Sequence, residues 1–287
     1  MAYKKIIYPK NFCGVEDHNF AKAKVAVLPV PYEGTVSYGG GTAKGPEAII
    51  KASPNLEFYD WDLDAEPLDI GIYTLPALKV KNLSPEKMVK AVEKKYEELL
   101  QKNKFVLMLG GEHAVSCGVI APLKKKYKEV SVLQWDAHAD LRDTYEGTPY
   151  SHACAMRRFY DGGFSLTQAG VRSLSKEEAD FIKQKKLRGN IFTPAEFDVK
   201  KIVSRLKKNV YVTVDMDGFD PALVPATGTP EPGGLSWQNF TDLMREVFTK
   251  KNVVGCDVVE LAPIAGHNVS DFVASLAAYK MIGYKFY

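Results

Sequence analysis

Three short stretches of this sequence place carboxylates and imidazoles at close, regular spacing. Gly110-Gly111-Glu112-His113 ends one apolar run, Asp136-Ala137-His138-Ala139-Asp140 ends a second, and Asp215-Met216-Asp217 ends a third. Polar residues at every second position of an extended chain share one face. Brought to one edge, His113, Asp136, His138, Asp140, Asp215 and Asp217 offer four carboxylates and two imidazoles. Burying that set is costly unless cations sit among it. Oxygen-dominated ligation with some imidazole and no thiolate suits two divalent first-row metals, manganese ahead of zinc. A lone Asp behind a strand is ordinarily a turn or capping residue, and a lone His is ordinarily packed in a core. Six of them on three strand ends are not explained that way.

The elements that must carry these residues are legible as apolar runs near 25–30, 105–109, 130–134, 168–171, 210–214 and 253–259. Between several of them lie charged stretches of helical period, near 85–101, 175–186, 195–207, 236–250 and 270–284. Ser84-Pro85 opens the first as N-cap and first helical residue. Strands alternating with helices predict a parallel sheet covered on both faces, an α/β/α sandwich in one domain over residues 1–287. Several runs end in acids and histidines at their C-terminal ends, the edge where open α/β sheets bind ligands.

Composition excludes other classes. Among 287 residues, 46% are hydrophobic and 25% charged, which is globular. A net charge of +3 is too small for a nucleic-acid partner. No apolar run is long enough for a membrane span or signal peptide, so a cytoplasmic protein without a membrane partner is expected. Cys13, Cys117, Cys154 and Cys256 are scattered and read as free thiols. Gly39-Gly40-Gly41 lacks the Lys-Ser/Thr of a phosphate loop and reads as a turn.

The three acidic motifs, with Phe219-Asp220-Pro221 after the last, resemble the signatures of the ureohydrolase family, which includes arginase and agmatinase. The resemblance runs from Pro31-Tyr32-Glu33-Gly34-Thr35 to Pro263. It implies a mainly parallel eight-stranded sheet between helices, two Mn2+ per subunit, and a trimeric or hexameric homo-oligomer. It also implies hydrolysis of a guanidino group to release urea. By resemblance, one manganese is held by His113, Asp136, Asp140 and Asp215. The other is held by Asp136, His138, Asp215 and Asp217, so that Asp136 and Asp215 bridge. His152 matches the family's proton shuttle, although Ala153-Cys154 follows it where the family often has Gly-Thr. Glu260 matches the carboxylate that receives the guanidinium through paired N–H donors. Thr229 is expected to hydrogen-bond Glu260.

The far end of the substrate must set specificity. The loop Asp143-Thr144-Tyr145-Glu146-Gly147 resembles the agmatinase pattern, and Asp143 and Glu146 would favour a cationic amine tail. Agmatine is therefore expected, giving putrescine and urea. Arg142 is the contrary residue. Aminopropyl-agmatine, guanidinobutyrate, arginine and formiminoglutamate are alternatives, as is a non-catalytic metal-binding homologue. His18 and His267 read as surface or structural residues, with His267 close enough in sequence to Glu260 to reach the pocket mouth.

Overall fold

Apolar runs become parallel strands in this chain because helices cover both of their faces. The computed structural model describes residues 11–14 and 19–287, so His18 lies outside the described residues. The strands are β1 (Val25–Val30), β2 (Ile72–Thr74), β3 (Phe105–Gly110), β4 (Val130–Trp135), β5 (Ser165–Ala169), β6 (Ile191–Phe192), β7 (Asn209–Asp215) and β8 (Asn252–Val259). The helices are α1 (Gly45–Ala52), α2 (Pro85–Gln101), α3 (Ile120–Lys126), α4 (Ala155–Asp161), α5 (Lys176–Gln184), α6 (Val199–Arg205), α7 (Trp237–Lys250) and α8 (Val269–Phe286).

The strands form one eight-stranded sheet in the order β2-β1-β3-β8-β7-β4-β5-β6. Every neighbouring pair is parallel. Successive side chains point to opposite faces. Val25 and Val27 enter the core packed with Ile49 of α1, Leu243 of α7 and Ala277 of α8. Ala26, Leu28 and Val30 enter the other, with Val92 of α2, Leu123 of α3 and Phe159 of α4. The result is the expected three-layer sandwich.

Chain order decides where the site forms. The first three strands build one half of the sheet, β4 to β6 build the other, and β7 and β8 return to close the middle. The C-terminal ends of β3, β8, β7 and β4 therefore lie side by side where the strand order reverses, the usual crevice for a ligand. Gly111 lets two exits meet there: a Cβ at this position would lie 2.0 Å from the Tyr32 carbonyl oxygen, to which the Glu112 N–H donates at 3.0 Å.

Local signals placed the helix starts well. Ser84 accepts from the Lys87 N–H, and Ser175 forms a reciprocal cap with Glu178. Two boundaries differ most from expectation. The helix expected over 195–207 is α6, Val199–Arg205, because Asp198 caps it by accepting from the Lys201 N–H and Phe197 before it is extended. The run expected at 168–171 is β5, Ser165–Ala169. It stops at Gly170, whose φ of 103° breaks the strand and whose missing Cβ leaves room for the Asp136 carbonyl oxygen.

Candidate metal centre

The turn after β3 delivers His113, the segment after β4 delivers Asp136, His138 and Asp140, and β7 ends in Asp215 with Asp217 two residues on. The structure brings all six together. Ligand atoms of His113, Asp136 and Asp140 lie within 4.8 Å of one another, and so do those of Asp136, His138 and Asp217. Asp136 belongs to both groups. His113 Nδ1 lies 2.9 Å from Asp140 Oδ2, 3.2 Å from Asp136 Oδ2 and 3.4 Å from Asp215 Oδ2. His138 Nδ1 lies 2.9 Å from Asp217 Oδ2 and 3.7 Å from Asp136 Oδ1. Asp140 reaches the cluster through a left-handed turn, φ 52°, and not by continuing an extended strand.

The donor set fits divalent cations for two reasons. The first is His113. Its Nε2 meets Thr213 Oγ1 at 2.8 Å, and the Thr213 hydroxyl donates to Asp257 Oδ1 at 2.6 Å. The Thr213 proton being committed, Nε2 must be the N–H that donates to it, as metal-ligating imidazoles commonly do. Nδ1 then carries a lone pair. It is buried without a hydrogen-bond partner, facing three carboxylate oxygens. A cation between them answers that arrangement while leaving the imidazole neutral. The second is charge. Burial, reinforced by Asp136, pushes the Asp140 carboxyl up to about 7. Burial and then neighbouring carboxylates also raise Asp215 and Asp217. Such a cluster ionises fully only around positive charge.

Buried hydrogen bonds hold the ligands in place. Asp136 accepts from Gln134 Nε2 and from the His138 N–H, both at 2.6 Å. Asp217 accepts from the Ala137 N–H at 3.1 Å. Arg172 donates to the carbonyls of Asp217 and Glu231 at 2.8 Å, pinning the loop that follows β7.

The ligands open on a cavity of about 260 Å³ that is also lined by His152, Glu260, Arg142, Tyr145 and Tyr38. Glu260 follows β8 in a left-handed conformation, φ 62°, and its Oε1 accepts from the His113 N–H at 2.6 Å. His152 Nδ1 lies 3.2 Å from Thr35 Oγ1. Burial above all pushes the His152 imidazole down to about 4, so it is neutral at pH 7.

Three expectations are corrected. Thr229 lines the cavity but its hydroxyl faces Asp217 Oδ2 at 3.4 Å, not Glu260, because the loop after β7 returns over Asp217. Asp143 points away from the cavity and pairs with Arg158 at 2.8 Å and Arg157 at 3.4 Å on α4, so its charge is already answered. Glu146 is exposed at the tip of the Tyr145–Thr148 turn, outside the cavity lining. His267, read as a surface or structural residue, is exposed in the Ile264–His267 turn and does not line the cavity. Arg142 does line the mouth, its guanidinium 5.0 Å from the Tyr145 ring centre. Sequence reasoning missed Thr35, Glu112 and Tyr38. Glu112 stands beside His113 in the first motif, but its role, like those of Thr35 and Tyr38, becomes visible only through the fold.

The Arginase family profile matches residues 23–283. The chain belongs to the arginase family. This arginase-family chain is 40% identical to the N(1)-aminopropylagmatine ureohydrolase of Synechocystis sp., over 96% of its own length and 94% of the relative's. It is 35% identical to the agmatinase of Bacillus cereus, over 90% of each chain. It superposes on the agmatine ureohydrolase of Thermoplasma volcanium with a TM-score of 0.88 and 30% identity, covering 96% of this chain and 94% of that one. The arginase-family protein is thus an enzyme, a ureohydrolase acting on guanidino groups. Among its described residues no helix is long and apolar enough to cross a membrane.

Proposed function

We propose that this ureohydrolase hydrolyses the guanidino group of agmatine-type amines with two manganese ions, and that N1-aminopropylagmatine is preferred to agmatine. The observation that carries the chemistry is one cavity lined by members of both ligand groups, which share Asp136, together with His152 and Glu260. When bound, a metal pair there supplies a water acidic enough to be hydroxide near pH 7. Glu260, fixed by the His113 N–H, receives guanidinium N–H donors and turns the carbon toward that water. Hydrolysis puts a water oxygen on that carbon and breaks its bond to the tail nitrogen, so the departing amine must take up a proton. His152 is placed to carry that proton. The products are urea and spermidine, or urea and putrescine from agmatine.

The tail reading rests on other residues than the sequence suggested. With Asp143 and Glu146 turned away, the mouth offers the rings of Tyr38, which is 86% exposed, and Tyr145. Aromatic faces attract ammonium groups. The 40% identity to an aminopropylagmatine enzyme favours the longer amine. One observation favours a second reading: Arg142 has no ion pair with a carboxylate among the described residues and could receive a guanidino acid. Urea release by manganese-loaded protein separates the two. With N1-aminopropylagmatine, agmatine, guanidinobutyrate and arginine compared, kcat/KM should be about tenfold or more higher for the amines than for the acids. Preference for guanidinobutyrate or arginine would assign the tail to Arg142. Bound metal with no urea from any substrate would favour a non-catalytic homologue.

A further inference from the structure

We propose that Thr35, oriented by Glu112, is the positioning residue that presents His152 to the substrate; this rests on the reading of His152 as proton carrier. Thr35 follows the exit of β1, Glu112 follows β3, and His152 lies between β4 and α4, so the contact is made by the fold alone. Thr35 is 6% exposed and Glu112 is fully buried. Glu112 Oε2 accepts from the Gly34 and Thr35 N–H groups, and its Oε1 accepts the Thr35 hydroxyl proton, each at 2.8 Å. The hydroxyl oxygen then has two lone pairs left. One receives the His152 backbone N–H at 3.1 Å, and the other meets His152 Nδ1 at 3.2 Å.

The direction of that last bond follows from the first. The Thr35 proton being given to Glu112, Nδ1 must be the protonated nitrogen, which leaves Nε2 basic. One hydroxyl therefore holds the backbone, ring plane and tautomer of His152. Ser151 Oγ, 3.3 Å from Nδ1, is the competing group: donating there would impose the opposite tautomer. Ser151 grips only the ring, whereas Thr35 grips ring and backbone and is itself anchored to a buried carboxylate. Holding the loop after β1 would need only the two N–H groups that reach Glu112. The hydroxyl adds a third bond to Glu112, but that bond does not call for the two further contacts with His152, which a positioning role explains.

The test is Thr35→Val, which keeps the shape and removes the hydroxyl, measured beside Thr35→Ser, Ser151→Ala and His152→Ala in manganese-loaded protein. Thr35→Val should lower kcat about 10- to 100-fold. Its KM and bound metal per chain should stay within roughly twofold of wild type, and Thr35→Ser should recover most of the loss. Ser151→Ala should lose less than Thr35→Val. The proposal is overturned if Thr35→Val turns over normally, if its loss tracks lost metal, if Thr35→Ser is as slow as Thr35→Val, or if Ser151→Ala is the slower variant. Normal turnover by His152→Ala would instead remove the proton-carrier reading itself, whereas a slow His152→Ala beside a normal Thr35→Val overturns only the role of Thr35.

Discussion

Asp136→Ala should release metal from both halves of the centre and lower urea release about a thousandfold or more. No other residue belongs to both ligand groups. Its Oδ2 faces His113 and its Oδ1 faces His138, while Gln134 and the His138 N–H fix the carboxylate between them. Without it, His113 and Asp140 keep one half and His138 and Asp217 the other, with only Asp215, the second expected bridge, left between them. Elemental analysis and urea release on the same preparation read this directly, and full activity with two bound metals would refute the shared role.

His152→Ala should leave the metals in place and lower kcat about 10²- to 10⁴-fold, the usual range for a lost proton-transfer group. The imidazole shares the cavity with the ligands but belongs to neither ligand group. A matching loss of metal would show a structural role, and an unchanged rate would remove His152 from the reaction. The two variants thus separate binding of the metal pair from proton transfer.

The candidate ligands could be picked out in the sequence because local order groups them. Asp136, His138 and Asp140 are neighbours in the chain, Asp215 and Asp217 likewise, and each set ends an apolar run that must be a buried strand. The sheet was legible for the same reason, except where a strand is too short to leave a pattern: β2 has three residues and β6 two, and both lie at the sheet edges. Orientation within loops was not legible. Asp143 looked like a tail-binding acid until α4 placed Arg157 and Arg158 against it. Thr229 was expected at Glu260, but the path of its loop brings it to Asp217. The supports of the site were also invisible, because each joins distant segments: Thr213 and Asp257 behind His113, and Glu112 and Thr35 behind His152. Charge spacing reports what a segment offers. Which way a loop residue turns is decided by partners that only the folded chain supplies.

The most direct test is a metal titration. Chelator-stripped protein receives manganese in steps while bound metal and urea release are read together, with N1-aminopropylagmatine or agmatine as substrate. The expected result is negligible urea without metal, and activity that reaches its plateau only as a second ion per chain is bound. Full release by stripped protein, or a plateau at one ion per chain, would contradict a paired centre built on Asp136.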